Sequence, residues 1–166
     1  MWECEFGSVV MKKYNKVIFV CNGNTCRSPM AATIMNSITK DKGISVTSRG
    51  MIVLFEEPYN PKAVAVCAVH DLIMPNNPAT QMTRDDFGND TLVLTMSEKQ
   101  KSKIYAEFDN AINVYTLSEY VGEPEEIEIP DPCGKGIEEY KRCYDGLYEL
   151  VSKAAAKMFE DEDDNN

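Results

Sequence analysis

The 166-residue sequence predicts a single three-layer α/β domain, with a central, mostly parallel four-stranded sheet and helices on both faces. Three observations lead there. Short apolar or β-branched runs recur at residues 17–20, 44–48, 91–95 and 112–115. Stretches with helical spacing of apolar residues fall between and after them. An apolar content of 43% in a chain of this length supplies one core, with no call for a second domain.

Residues 17–20 are all apolar, the pattern of a strand buried on both faces. Ser28 reads as the N-cap of the next helix and Pro29 as its first residue, with Ala31, Ile34, Met35 and Ile38 on one face and an end near Lys42 and Gly43. Residues 44–48 form a second strand. After an irregular stretch over 50–60, Pro61 opens a helix carrying Ala63, Val64, Val66, Cys67 and Val69 that ends at His70. Residues 74–78 read as loop and 83–87 as one helical turn. The strand at 91–95 leads to Ser97 and Gln100, a capping box for a helix bearing Ile104, Tyr105 and Phe108. Residues 112–115 supply the fourth strand. Beyond a Pro- and Glu-rich loop, Ile137, Tyr140, Tyr144, Leu147, Val151, Ala154 and Met158 keep the spacing of a long amphipathic helix. Residues 1–15 are read as an extension and lead-in, with Met11 a plausible natural start and Trp2 without a role; 16–159 is the domain; 160–166 is a solvated acidic tail.

A net charge of −10 disfavours a nucleic-acid partner, which needs clustered Lys and Arg. No apolar run approaches the roughly 18 residues of a membrane span, and the N-terminus does not resemble a secretory signal, so no membrane partner and a cytoplasmic location are expected. The six cysteines are then expected to be thiols, with Cys67 and Cys143 as small buried hydrophobes. With no C-x-x-C pair and His70 the only histidine, the spacings of a structural zinc site are missing.

In such sheets ligands collect at the carboxyl ends of strands, where Cys21 stands. From Cys21 to Arg27 the sequence C-N-G-N-T-C-R can turn backbone N–H groups inward, since Gly23, Asn22 and Asn24 tolerate the positive φ this requires. The following helix brings its positive end to the same place, which makes a site for a dianion. Inward amides, helix dipole and the Arg27 guanidinium all favour a Cys21 thiolate, and Arg27 can grip two oxygens of a phosphoryl group. Ser28 is placed to donate its hydroxyl to the Cys21 sulfur. The nucleotide-loop pattern G-x-x-x-x-G-K-[ST] is absent, and no lysine occupies the loop. The combination specifies phosphoryl transfer to sulfur.

C-N-G-N-T-C-R-S-P resembles the signature loop of the low-molecular-weight protein tyrosine phosphatase family, and Asp131-Pro132 resembles its second hallmark, an Asp-Pro pair near the C-terminus. The resemblance extends from about residue 16 to about residue 158. It implies that Cys21 attacks phosphorus, that residues 22–28 (Asn22, Gly23, Asn24, Thr25, Cys26, Arg27 and Ser28) bind the phosphoryl oxygens, and that Asp131 protonates the leaving atom and later activates water. It also implies that Asn24 holds the loop's shape, that Ser28 tunes Cys21, and that no metal or cofactor is needed. Cys26 matches a family position able to form a reversible disulfide with the nucleophile; on the sequence alone a packing role is equally open. A phosphorylated protein is then the expected substrate, and a monomer or weak homodimer the expected state. On residues alone Asp131 reads as a loop acid, which Glu125, Glu126 and Glu128 would help protonate if close.

Thr25 stands where phosphotyrosine-specific members carry a bulky apolar residue, and Cys133-Gly134 where they carry aromatics. Thr25, together with V-Y-T-L-S-E-Y-V, resembles the protein arginine phosphatase branch, although Cys133 departs from an aromatic there too. An acidic surround would suit a basic phosphorylated residue. M-P-N-N-P-A-T-Q-M-T occupies the place of a His-containing segment of many members, and His70 is misplaced for it. Two other classes are weighed. Thiol-redox enzymes such as arsenate reductases share the loop but use a further pair of close cysteines, whereas Cys67 stands alone. A silent phosphate-binding module would not need Cys21, Arg27 and Asp131 together.

Overall fold

The computed structural model describes residues 14–160. The expectations for residues 1–10, for Met11 and for residues 161–166 lie outside the described residues. Strands β1 (Lys16–Cys21), β2 (Ser45–Gly50), β3 (Thr91–Thr95) and β4 (Val114–Thr116) form one sheet in the order β2-β1-β3-β4, with every neighbouring pair parallel. The helices are α1 (Arg27–Thr39), α2 (Pro61–Val69), α3 (Glu98–Glu107), α4 (Leu117–Val121) and α5 (Ile137–Met158), with a 3-10 turn at Arg84–Asp86.

Strand alternation sorts β1 between two cores. Val17, Phe19 and Cys21 face the larger one, with Leu92 and Leu94 of β3, and pack against α1, α2 and α5. Ile18, Val20 and Val93 face a smaller one closed by Ile104 of α3, with Phe87 and Phe108 against it. Burial on both sides explains why β1 is apolar throughout. Thus β1 is a central strand, and Cys21, its last residue, points toward the side covered by α1 and α5.

Several boundaries shift from the sequence expectation. Helix α1 begins at Arg27, not Pro29, because Met30 N–H already donates to the Cys26 carbonyl. Ser28 lies inside the first turn and is not the cap. The helix ends at Thr39, where the Thr39 hydroxyl is buried and donates to the Met35 carbonyl, while Ile38 is exposed. On α2, Val64 and Val69 also face outward; Ala63, Val66 and Cys67 supply its buried face. Ser97 accepts from Gln100 N–H as expected, but the Gln100 side chain reaches the Met96 N–H. The turn of α4, for which the sequence carried no assignment, is closed by a Thr116–Glu119 capping box and by Gly122 at φ 82°. His70 caps the end of α2 and stacks on Tyr144 at 4.1 Å between ring centroids.

Candidate active site

The segment between β1 and α1 wraps around the Cys21 sulfur. Asn24 adopts φ 57° and is buried, and its side chain secures the turn. Its Oδ1 accepts from Thr80 N–H at 2.9 Å, which assigns the amide orientation; its Nδ2 then donates to the hydroxyls of Ser28 and Ser48, each at 2.8 Å. Since Asn24 fills an acceptor position on the Ser28 oxygen, the hydroxyl proton is free for Cys21 Sγ at 3.0 Å or the Arg49 carbonyl at 3.4 Å. Ser28 N–H also donates to Cys21 Sγ, at 3.4 Å. The Ser28 N–H therefore donates to the sulfur, and the Ser28 hydroxyl is within reach to do so as well.

Other anchors hold the rest of the loop. Met51 N–H donates to the Cys21 carbonyl, Ile52 N–H to that of Asn22 and Asn60 N–H to that of Thr25. Gln100 Nε2 donates to Asn22 Oδ1 at 3.0 Å, linking the loop to α3. Gly50 permits a close approach: a Cβ there would lie 2.5 Å from Val53 Cγ2, 3.0 Å from Asn24 Cβ and 3.1 Å from the Gly23 carbonyl carbon. Gly50→Ala is therefore expected to destabilise the fold by about 1–3 kcal/mol through overpacking. Urea unfolding checks this, and an unchanged midpoint would contradict it.

Arg27 lies 7% exposed at the start of α1, with Nη1 donating to the Ile129 carbonyl at 3.2 Å and Nη2 3.7 Å from Asp131 Oδ2. Asp131 is exposed on the loop before α5, where Oδ1 accepts from Cys133 N–H at 3.0 Å. Asn22, Arg27, Glu128 and Asp131 border a cleft of about 580 Å³, with Met51, Ile52, Met96, Ser97, Lys99, Gln100, Lys103 and Ile129. Its size suits a side-chain-sized ligand. The expected acidic surround is corrected: Lys99 and Lys103 share this rim with Glu128 and Asp131. Of the three glutamates expected near Asp131, Glu128 joins it there, whereas the Glu126 carboxylate accepts from the Thr116 hydroxyl at 2.8 Å. Burial shifts the Glu126 carboxyl upward.

Thr25 and Cys133 meet, with Oγ1 and Sγ 3.9 Å apart. Cys26, for which the resemblance implied a pairing with Cys21 and a packing role stayed equally open, has its sulfur 2.9 Å from Cys133 Sγ and 3.3 Å from the Tyr140 hydroxyl. Cys67 and Cys143 are buried as expected, and burial pushes their thiols up to about 11 and about 12. The sequence reading missed Ser48, Gly50, Thr80, Gln100 and Tyr140. Only Gly50, at the end of a strand, carried a local signal.

Among the described residues no helix is long and apolar enough to cross a membrane. Residues 16–164 match the family described as low molecular weight phosphotyrosine protein phosphatase. A relative from Staphylococcus epidermidis, low molecular weight protein-tyrosine-phosphatase PtpB, is 36% identical over 86% of this chain and 98% of its own. A protein-arginine-phosphatase of Bacillus subtilis is 37% identical over 87% of this chain and 97% of its own. The YwlE arginine phosphatase of Geobacillus stearothermophilus superimposes with a TM-score of 0.82 at 27% identity, over 92% of this chain and 97% of that one. A YwlE cysteine-to-serine mutant with a phosphorylated active-site serine superimposes at 0.78 and 32% identity, over 88% and 97%. With the loop and the Asp-Pro pair in the same chain, these matches make the protein a member of the low molecular weight protein tyrosine phosphatase family.

Proposed function

We propose that this cysteine-dependent phosphatase hydrolyses phosphorylated tyrosine or arginine side chains of proteins through a phosphocysteine at Cys21. The observation that carries the residue assignment is the pair of Ser28 donors on Cys21 Sγ, with Arg27 and Asp131 3.7 Å apart at the same strand end. Cys21 attacks phosphorus while the loop amides and Arg27 hold the phosphoryl oxygens. Arg27 exchanges its bond to the Ile129 carbonyl and its pairing with Asp131 for these oxygens, whose charge grows in the equatorial plane of the transition state. The bond from phosphorus to the leaving oxygen or nitrogen breaks, and Asp131 supplies that atom's proton. Asp131 then takes a proton from water as the water attacks the phosphocysteine, which returns Cys21 to its thiolate. None of these steps requires a metal or cofactor.

The relatives divide between tyrosine and arginine phosphatases at nearly equal identity, 36% and 37%, so the residues around the site carry the choice. The Thr25 hydroxyl, 3.9 Å from Cys133 Sγ where an apolar side chain would instead face a phenol, favours a guanidinium-bearing substrate. Direct competition between phosphoarginine and phosphotyrosine peptides tests this. Thr25→Ile is expected to shift preference toward phosphotyrosine by about tenfold, the scale of a changed apolar contact. An unchanged or opposite preference removes Thr25 from substrate choice.

The same reading takes residues 16–159 as the catalytic domain, acting as a monomer or weak homodimer without nucleic acid. A nucleophilic thiolate has to be kept reduced, which supports a cytoplasmic setting. The thiol-redox alternative is not favoured by the relatives matched.

A further inference from the structure

We infer that Cys26 and Cys133 form a reversible disulfide of their own, a latch between the start of α1 and the Asp131 loop. Their sulfurs are 2.9 Å apart, while the residues are separated by 107 positions in sequence. Bond formation at about 2.05 Å needs an approach of less than about 1 Å. The contact lies in the rim of the phosphatase site, but the bond forms whether or not Cys21 is a nucleophile.

The surroundings favour this pair over one between Cys26 and Cys21. Cys21 Sγ receives the Ser28 N–H and lies within reach of the Ser28 hydroxyl, contacts that hold this sulfur in the loop and would be given up in a disulfide. Beyond each other, Cys26 meets the hydroxyls of Tyr140 at 3.3 Å and Thr25 at 3.7 Å, and Cys133 that of Thr25 at 3.9 Å, with no backbone N–H among these contacts. Burial, followed by the Cys26 thiol and the Asp131 carboxylate, pushes the Cys133 thiol up to about 12. Dithiols without a stabilised thiolate hold their disulfide more firmly against reduction.

Glutathione disulfide is the oxidant class that completes the step. Cys133 is exposed and Cys26 buried, so Cys133 is the thiol that meets glutathione disulfide, and its small thiolate fraction attacks one glutathione sulfur and releases one glutathione. The Cys26 thiolate then attacks the Cys133 sulfur of the mixed disulfide and releases the second. Two protein thiols are oxidised, one glutathione disulfide is reduced to two thiols, and the two protons pass to the departing glutathiones. The closed bond anchors the loop that carries Asp131 and withholds Cys26 from Cys21.

The test treats the full chain with glutathione disulfide at mildly alkaline pH, alkylates it with iodoacetate and maps peptides without reduction. The expected result is a Cys26–Cys133 crosslink, reversed by dithiothreitol, with Cys21 still carboxymethylated. A predominant Cys21–Cys26 crosslink, or glutathione left on Cys133 without closure, overturns the inference. Closing so long a loop is also expected to raise the Tm by several degrees. Cys133→Ser should show no such rise with oxidant, and an equal rise in that variant also overturns the latch.

Discussion

Cys21→Ser is expected to reduce metal-free hydrolysis of para-nitrophenyl phosphate by on the order of 10⁵-fold or more, with the fold intact. The substitution exchanges sulfur for a smaller oxygen at a site 3% exposed, so the packing around β1 changes little. What changes is the nucleophile. The Ser28 hydroxyl and N–H that face the sulfur do not ionise an alcohol at neutral pH, since an alcohol is a far weaker acid than a thiol. The Arg27 guanidinium and the loop amides remain, so binding of inorganic phosphate should survive while turnover does not. Steady-state kinetics, phosphate titration and circular dichroism read the three parts separately. Wild-type turnover in Cys21→Ser would refute the nucleophile assignment, whereas loss of turnover with loss of fold would be a packing effect.

The frame of this site was legible because its signals are local. An apolar strand, a Gly/Asn turn, Arg-Ser-Pro and a helix follow one another within residues 17–35, and each constrains the next. What stayed hidden is contributed from far along the chain. Ser28 satisfies every sequence rule for a cap, yet its hydroxyl is drawn to Cys21, Asn24 and Arg49, and the helix starts before it. Ser48, Thr80 and Gln100 hold the loop through contacts 24, 56 and 78 positions apart, at distances that no periodicity encodes. The same limit governs Cys26. The family resemblance implied a pairing with Cys21 and left a packing role open, while the approach of the Asp131 loop to α1 sets its sulfur against Cys133. The unbroken apolar run did foretell that Val17 to Val20 would be buried on both faces, because that pattern is written in consecutive residues.

Asp131→Asn is expected to lower turnover by about 10²- to 10⁴-fold for poor leaving groups and far less for good ones. The amide keeps the side chain's size and can still accept from Cys133 N–H, a bond now 3.0 Å long, so the loop retains its local turn. It cannot deliver a proton. A para-nitrophenolate ion departs as a stable anion and needs little help, whereas an alkyl phosphate must be protonated as its bond to phosphorus breaks. A phosphoarginine makes the larger demand, because a guanidine leaves only as the neutral base and the nitrogen has to gain its proton in the same step. Neutralising Asp131 also removes the charge partner 3.7 Å from Arg27 Nη2, which frees the guanidinium for a bound phosphate. Binding of phosphate to Asp131→Asn should therefore hold or tighten while kcat falls, a split that a general loosening of the loop would not produce. Measuring kcat across aryl phosphates of graded leaving-group basicity decides the matter: equal losses along the series would take Asp131 out of the role of proton donor.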